Sequence, residues 1–139
     1  MPTTQPVYLV SSCLLGLCTR YDGKVKQYPL TINKLKTATL IPICPEQLGG
    51  LATPREAAVL TGGDGNDVLN GHATIVTKSG VDVTAKFILG AQQVLKIAQM
   101  QKISSAVLKS RSPSCGVSEN IGVAAALLQR HGIQTIEVD

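Results

Sequence analysis

Three cysteines lie where the sequence predicts buried strands to end. Cys13 follows the first apolar run, Cys44 ends the second, and Cys115 lies in the polar turn SRSPSCG just past the third. In a parallel sheet the carboxyl ends of all strands share one edge, and open α/β sheets bind their ligands at that edge. We therefore expect three thiols that are distant in sequence to meet at one place.

Such a group of thiols is compatible with several kinds of site. Zinc would need a fourth ligand from Cys18, His72 or water, and the CxxC pairs that are typical of zinc sites are absent. An iron–sulfur cluster normally takes four thiolates, so three would leave one iron open to a substrate. Thiol catalysis and ordinary buried cysteines are further interpretations, and the spacing alone leaves all of them open.

Polar side chains beside the cysteines could take part in the same chemistry. Glu46, two residues after Cys44, could act as a general acid or base, or could only cap a helix. The hydroxyls of Ser112 and Ser114 could hydrogen-bond a cluster sulfur or a substrate, or could only stabilise the turn. Three cations on the same predicted edge could contact a ligand or be surface charges. They are Arg20, Arg55 and Lys109.

Strands and helices that alternate along the chain must position these residues. The predicted strands are 6–12, 39–44, 104–110 and 134–139, and the predicted helices are a short one over 30–37 and two long ones over 81–100 and 120–132. This alternation predicts an α/β fold: a single three-layer domain over residues 1–139 with a mostly parallel, Rossmann-like sheet of about four to five strands.

Local signals refine these predictions. Pro42 complicates the second strand, and 45–56 reads as a long loop. The segment 62–80 reads as a turn, a hairpin-like strand and a second turn. Asp82 or Thr84 is expected to cap the first long helix, and Gly132 to end the second. The N-terminus of this second helix, soon after Cys115, is expected to favour a thiolate or an anion.

Composition narrows the class of protein. The chain has 139 residues, the usual size of one domain, and its 44% of hydrophobic residues argue against disorder. Only 3% are aromatic, which argues against a platform for stacking single-stranded nucleic acid. The net charge of +4 comes from scattered residues and gives no strong nucleic-acid signal. We expect no membrane span and a cytoplasmic protein, where cysteines serve metals or catalysis rather than disulfides.

Six motifs, in order, resemble those of one family over nearly the whole chain. They are CLLG at 13–16, RYDG at 20–23, CPEQLGGLATPRE at 44–56, DVTAKFILGA at 82–91, LKSRSPSCG at 108–116 and GVAAALLQRHGI at 122–133. The family includes the thiouracil desulfidases, which use a [4Fe-4S] cluster to remove sulfur from thiolated uracil. The resemblance implies the same cofactor here, and a small thiolated nucleobase or nucleotide as the partner.

The resemblance also implies a role for each residue that matches a family motif. The cluster ligands would be Cys13, Cys44 and Cys115, with Glu46 as the catalytic carboxylate and Ser112 as the active-site serine. An open iron would bind the thiocarbonyl sulfur, and water activated by Glu46 would attack the ring carbon. Ser112 would position the ring or assist proton transfer. The remaining residues expected to contact the substrate are Arg20, Arg55 and Ser114.

Two other functions remain open from the residues. A sulfur carrier or sulfurtransferase would form a persulfide on Cys115 or Cys13, and a non-enzymatic module would bind a metal or a small molecule. The chain also departs from the family pattern at two places: the loop after Cys115 is short, and Cys18 stands where another residue type is expected. The sequence does not indicate the oligomeric state.

Overall fold

The computed structural model describes residues 5–30 and 32–139. The elements are β1 (Val7–Ser11), β2 (Thr39–Ile43), α1 (Pro45–Leu48), β3 (Ala58–Thr61), α2 (Gly65–Leu69), β4 (Thr74–Thr77), α3 (Thr84–Met100), β5 (Ser105–Lys109), α4 (Val123–Arg130) and β6 (Gln134–Val138), with short 3-10 helices at Ser12–Leu15 and Asn33–Leu35.

The central sheet has four strands within the described residues, in the order β2-β1-β5-β6, and every neighbouring pair is parallel. This confirms the mostly parallel sheet predicted from the alternation of elements. The chain leaves β1 first toward β2 on one side and later reaches β5 on the other. The strand order therefore reverses at β1, and open α/β sheets bind ligands at such a point.

Both faces of this sheet are covered, which is why its strands read as continuous apolar runs. Leu9 and Leu108 face the core formed with α3 and α4. On the other face, Val10 packs with Leu14 and Leu35, which belong to the two 3-10 helices. Pro42 fits because β2 is an edge strand, where a missing N–H costs no ladder bond.

A second sheet, the antiparallel pair β3–β4, was only half predicted. The hairpin-like strand within 62–80 is β4, but its partner β3 was missed because a four-residue strand shows too little alternation. The helix α2 was also missed, although Asp64 and Asp67 form a reciprocal capping box at its start. The loop predicted over 45–56 likewise contains the one-turn helix α1.

The long helices agree with the prediction, and their ends differ by a few residues. The Asp82 carboxylate accepts a hydrogen bond from the Thr84 N–H at 2.9 Å, but the N-cap residue of α3 is Val83, one position after Asp82 and one before Thr84, and its side chain makes no capping hydrogen bond. Helix α4 begins at Val123 rather than 120, and Gly132 follows its end with a φ of 75°. The helix predicted over 30–37 is only the 3-10 turn at Asn33–Leu35, and residue 31 lies outside the described residues.

No helix among the described residues is both long enough and apolar enough to cross a membrane.

Candidate active site

A cavity of about 290 Å³ lies at the carboxyl ends of β1, β2 and β5. All eight side chains that the sequence predicted for the site contribute to its lining. The three thiols come from three adjacent parallel strands: Cys13 follows β1, Cys44 follows β2, and Cys115 lies in the turn after β5. The shared edge expected from the topology therefore does bring these residues to one cavity.

The cysteines are not gathered around a single point. Among residues 5–30 and 32–139, no three His, Cys, Asp or Glu side chains form a group that could hold one metal ion. Cys13 and Cys44 are half-buried, Cys115 is buried, and all are free thiols. The thiols therefore border the cavity rather than converge as a mononuclear site would require.

Burial controls the acidity of two of these thiols. It raises the pKa of Cys115 to about 12, although hydrogen bonding from the Ser11 hydroxyl opposes the rise. Burial is also the largest cause of the raised pKa of Cys13, and the neighbouring Cys44 adds to it. Cys44 also raises the pKa of Cys115, so a negative charge on Cys44 would oppose ionisation of both other thiols.

Cys18 does not belong to this group. Its side chain is exposed, its thiol donates a hydrogen bond to the Gly23 carbonyl at 3.3 Å, and it does not line the cavity. It is also a free thiol, unpaired with Cys13.

Glu46 lies at the centre of a hydrogen-bonded chain. Its Oε1 accepts from Arg55 Nε at 3.0 Å, and its Oε2 accepts from the Ser114 hydroxyl at 3.0 Å. The Ser114 oxygen lies 2.9 Å from Ser112 Oγ, which also accepts from the backbone N–H groups of Ser114 and Cys115. A carboxylate can only accept, so the Ser114 proton points to Glu46 and the Ser112 proton to Ser114.

Arg20 is held by protein partners. Its Nε and Nη2 donate to the two carboxylate oxygens of Asp22 at 3.1 and 3.0 Å, and its Nη1 donates to the Tyr28 hydroxyl at 2.7 Å. The Arg20 guanidinium lowers the pKa of Asp22 to about 2. Lys109 lies with its Nζ 5.5 Å from the centre of the Tyr28 ring and donates to Ser110. Burial raises the pKa of Cys13, and the charge of Lys109 offsets part of that rise.

Helix α3 fixes the segment that carries Cys44 and Glu46. Gly49 and Gly90 lie where the backbones of α1 and α3 touch: a Cβ on Gly49 would overlap the Lys86 carbonyl, and one on Gly90 the Pro45 carbonyl. The two glycines therefore allow α1 to rest directly on the longer helix.

The start of α4 fixes the turn that carries Cys115, but it does not do so as a site for an anion. The N–H groups of Val123 and Ala125 donate to the carbonyls of Pro113 and Ser114 at 2.9 and 3.0 Å. The expectation that this helix N-terminus favours a thiolate or an anion is therefore not met at these two N–H groups, because carbonyls of the turn take them. Gly122 permits the contact, since a Cβ there would overlap the Ser114 carbonyl.

Other contributors were missed because sequence motifs do not reveal backbone acceptors. The Thr19 carbonyl accepts from Arg55 Nη2 at 2.9 Å and from the Cys44 thiol at 3.8 Å. Buried Ser12 is 2.6 Å from the Thr19 hydroxyl. The short loop after Cys115, residues 116–122, does not line the cavity, and its Val117 and Ser118 N–H groups donate to Glu137.

Comparison with known proteins agrees with this geometry. The model of the 2-thiouracil desulfurase family matches residues 8–139. The chain belongs to this family. An uncharacterized protein of Bacillus subtilis (strain 168), YbbK, is 41% identical over 140 residues, covering 92% of this chain and 93% of the relative.

A solved structure of the [4Fe-4S]-dependent thiouracil desulfidase TudS is also similar. It is 36% identical, with a TM-score of 0.78 over 96% of this chain and 91% of that one. This match and family membership confirm the predicted α/β fold, the predicted family and the prediction of an enzyme.

Proposed function

We propose that this desulfurase-family member removes sulfur from a thiolated nucleobase by hydrolysis, in the cytoplasm, with a [4Fe-4S] cluster held by Cys13, Cys44 and Cys115. The reaction converts a C=S group and water into a C=O group and hydrogen sulfide, with no change of redox state. The observation that carries the proposal is the cavity in which the three thiols from adjacent parallel strands lie with Glu46. Family membership and the TudS likeness support it.

The donor set fits a cluster better than a single ion. Each cysteine ligand of a cluster binds its own iron, so the thiols must surround a volume rather than one point, as these three do. When bound, the cluster would supply a Lewis acid at the iron that lacks a cysteine, because Cys18 does not line the cavity. The raised pKa values of Cys13 and Cys115 do not oppose ligation, since a coordinated thiol is deprotonated by the metal.

The residues around the thiols can manage the protons of the reaction. Glu46, fixed by two hydrogen bonds, accepts a proton from the water that attacks the ring carbon. Ser112 is connected to Glu46 through Ser114, so a proton can pass along these hydroxyls. The cavity volume suits a ligand the size of a nucleobase or nucleotide.

The test is turnover by anaerobically reconstituted protein. Thiouracil should yield uracil and sulfide in equal amounts, and Glu46→Gln should lower kcat by about 10² to 10⁴. Glu119→Gln, which removes an exposed carboxylate outside the cavity, is the matched control and should keep the parent rate. Iron-loaded protein that releases no sulfide, or a Glu46→Gln variant with parent activity, would contradict the proposal.

The burial and the raised pKa values of two thiols argue against the sulfurtransferase alternative. A persulfide-forming cysteine must present a thiolate, but Cys115 is buried with a pKa of about 12, and the pKa of Cys13 is raised. A colourless, metal-free protein that carries sulfur releasable by cyanide would favour this alternative.

A further inference from the structure

Arg55 lies where three segments of the cavity wall meet, and protein partners occupy its guanidinium. Nε donates to Glu46 Oε1 at 3.0 Å, and Nη1 donates to the Ala52 carbonyl and the Thr53 hydroxyl at 3.2 and 2.8 Å. Nη2 donates to the Thr19 carbonyl at 2.9 Å. Four of the five N–H donors of the guanidinium are thus used.

The positive charge of Arg55 is also paired, with the carboxylate of Glu46. The side chain of Arg55 is only 9% exposed, and its ion pair with Glu46 is one of two hydrogen bonds that hold that carboxylate. A substrate anion would meet one remaining N–H and a neutralised cation. The geometry therefore gives no support to the earlier expectation that Arg55 binds the substrate.

The Thr19 carbonyl connects Arg55 to the thiol side of the cavity. The same oxygen accepts from the Cys44 thiol at 3.8 Å, and the Thr19 hydroxyl lies 2.6 Å from Ser12 Oγ, next to Cys13. The backbone N–H of Arg55 donates to the Tyr21 carbonyl at 2.7 Å, which anchors the other end of this loop. One planar group thus links Glu46 to the segment between the first cysteine and Tyr21.

We propose that Arg55 is a positioning residue: it holds the Glu46 carboxylate in a fixed orientation relative to the Thr19 segment. Ser114 holds the other oxygen of Glu46, so the carboxylate cannot rotate without breaking a hydrogen bond. The inference rests on the proposed function for the role of Glu46. Lysine cannot replace Arg55, because one ammonium cannot serve acceptors on three segments in the plane of a fork.

The kinetic test compares Arg55→Met and Arg55→Lys with Arg130→Met. Arg130 is a matched control, since it makes three hydrogen bonds to Asn66 and Asn70 on the exposed side of α4 and does not line the cavity. Both Arg55 variants should lose about 10- to 100-fold in kcat, as outer-shell partners do, with KM changed by less than about 3-fold. Arg130→Met should keep the parent kcat.

Chemical rescue by guanidinium, together with the separate effects on kcat and KM, distinguishes a positioning role of Arg55 from substrate binding. Added guanidinium should restore part of the kcat of Arg55→Ala, because it can occupy the place that the arginine guanidinium leaves empty. A raised KM with an unchanged kcat would overturn the proposal, because that pattern marks a lost substrate contact. Full activity in Arg55→Lys would also overturn it, because positioning needs the planar guanidinium that lysine lacks. Should Arg55→Met fail to fold, Arg55→Lys carries the same test.

A second readout does not depend on turnover. Crystal structures of metal-free parent and Arg55→Lys should show Glu46 in a different rotamer in the variant, with the Thr19 carbonyl displaced. An unmoved Glu46 and Thr19 in Arg55→Lys would overturn the positioning role. If the parent releases no sulfide from thiouracil, the proposed function fails while this comparison still decides the role of Arg55.

Discussion

The cysteines differ mainly in what surrounds each sulfur. Cys115 is 4% exposed and sits beneath the Ser112–Ser114 turn, whereas Cys18 is exposed and binds only a backbone carbonyl. Cys13 and Cys44 are intermediate in exposure. These surroundings assign Cys13, Cys44 and Cys115 to the cavity, and they leave Cys18 as a surface thiol.

Alkylation should report this difference. In metal-free protein treated with iodoacetamide at pH 8, Cys18 should be modified first and Cys115 last. Access favours Cys18, and at this pH a thiol with a pKa of about 12 is about 10⁻⁴ ionised. Peptide mass spectrometry over time measures the order, and Cys18→Ser should remove only the fastest phase. Modification of Cys115 as fast as Cys18 would show that its surroundings are wrongly described.

The place of each site residue in the fold was easier to predict from the sequence than its hydrogen-bond partners. Motif order and parallel topology predicted that the cysteines, Glu46 and the serines lie together, because strand ends follow from the apolar runs. The sequence could not show that protein groups occupy the two arginines, since an arginine looks the same in sequence whether it faces a ligand or a neighbouring loop. These groups are Asp22 and Tyr28 for Arg20, and backbone carbonyls for Arg55.

Helix α1 is the shortest α-helix within the described residues, and it carries Cys44 at its N-cap and Glu46 in its first turn. A four-residue helix has no stability of its own. It is held by close backbone contact with α3, and by Gln93 of α3, which donates to the Leu48 carbonyl at 2.9 Å. The geometry of the carboxylate therefore depends on a glycine in another helix.

Gly90→Ala should destabilise the protein, against the trend of helix propensity. Alanine in place of glycine within an exposed helix stabilises by about 1 kcal/mol. Here the new Cβ would overlap the Pro45 carbonyl, and overpacking costs about 1–3 kcal/mol and displaces α1. Urea unfolding measures the sign, and kcat should fall with it. A more stable variant with parent activity would contradict the close contact.

Glu137, on β6, orders the loop that follows Cys115. Its carboxylate accepts from the N–H groups of Val117 and Ser118 and from the Ser118 hydroxyl, and these bonds lower its pKa. A lowered pKa means that the contribution to stability is present above the ordinary glutamate pKa. It is lost as the pH falls through the lower value of the folded state.

Glu137→Gln should therefore lower Tm at pH 7, by an amount that corresponds to about 1 kcal/mol after allowance for solvent screening. The difference from the parent should shrink as the pH falls below about 4.5, the ordinary glutamate value. Thermal unfolding followed by circular dichroism at several pH values measures it. A difference that does not change with pH would point to packing rather than charge.

Helices and strands were predictable from the sequence where a stretch was long enough to show an apolar run or a helical spacing of apolar residues. The central strands and the helices α3 and α4 follow from continuous apolar runs and from helical spacing. Strand β3 and helix α2, at four and five residues, are too short for either signal. Their existence depends on packing against Phe87 and Val123, which only the fold brings together.

In the whole molecule, two apolar cores share the same two helices. Phe87 and Ala91 of α3 face the core formed with the β3–β4 pair and α2 (the β3–β4 core), whereas Val94 and Ala98 face the central sheet. Helix α4 likewise contributes to both cores. The β3–β4 pair and the central sheet are thus joined by continuous helices rather than by a linker, and the single domain over residues 1–139 stays a prediction.

A single domain should unfold in one cooperative step. Far-UV circular dichroism and tyrosine fluorescence should give the same midpoint in urea for metal-free protein, because melting either core removes the support of α3 and α4. The tyrosines, including buried Tyr8, report the sheet side, since the chain has no tryptophan. Two separated transitions would show that the β3–β4 core folds independently.

The measurement that most directly tests the central claim is iron counting after anaerobic reconstitution with iron and sulfide. The parent and Cys18→Ser should each bind about four irons per chain with broad absorption near 400 nm. The variants Cys13→Ser, Cys44→Ser and Cys115→Ser should each lose most of that iron. If one of these three retains the parent iron content, or if Cys18→Ser loses it, the cluster is not held as proposed.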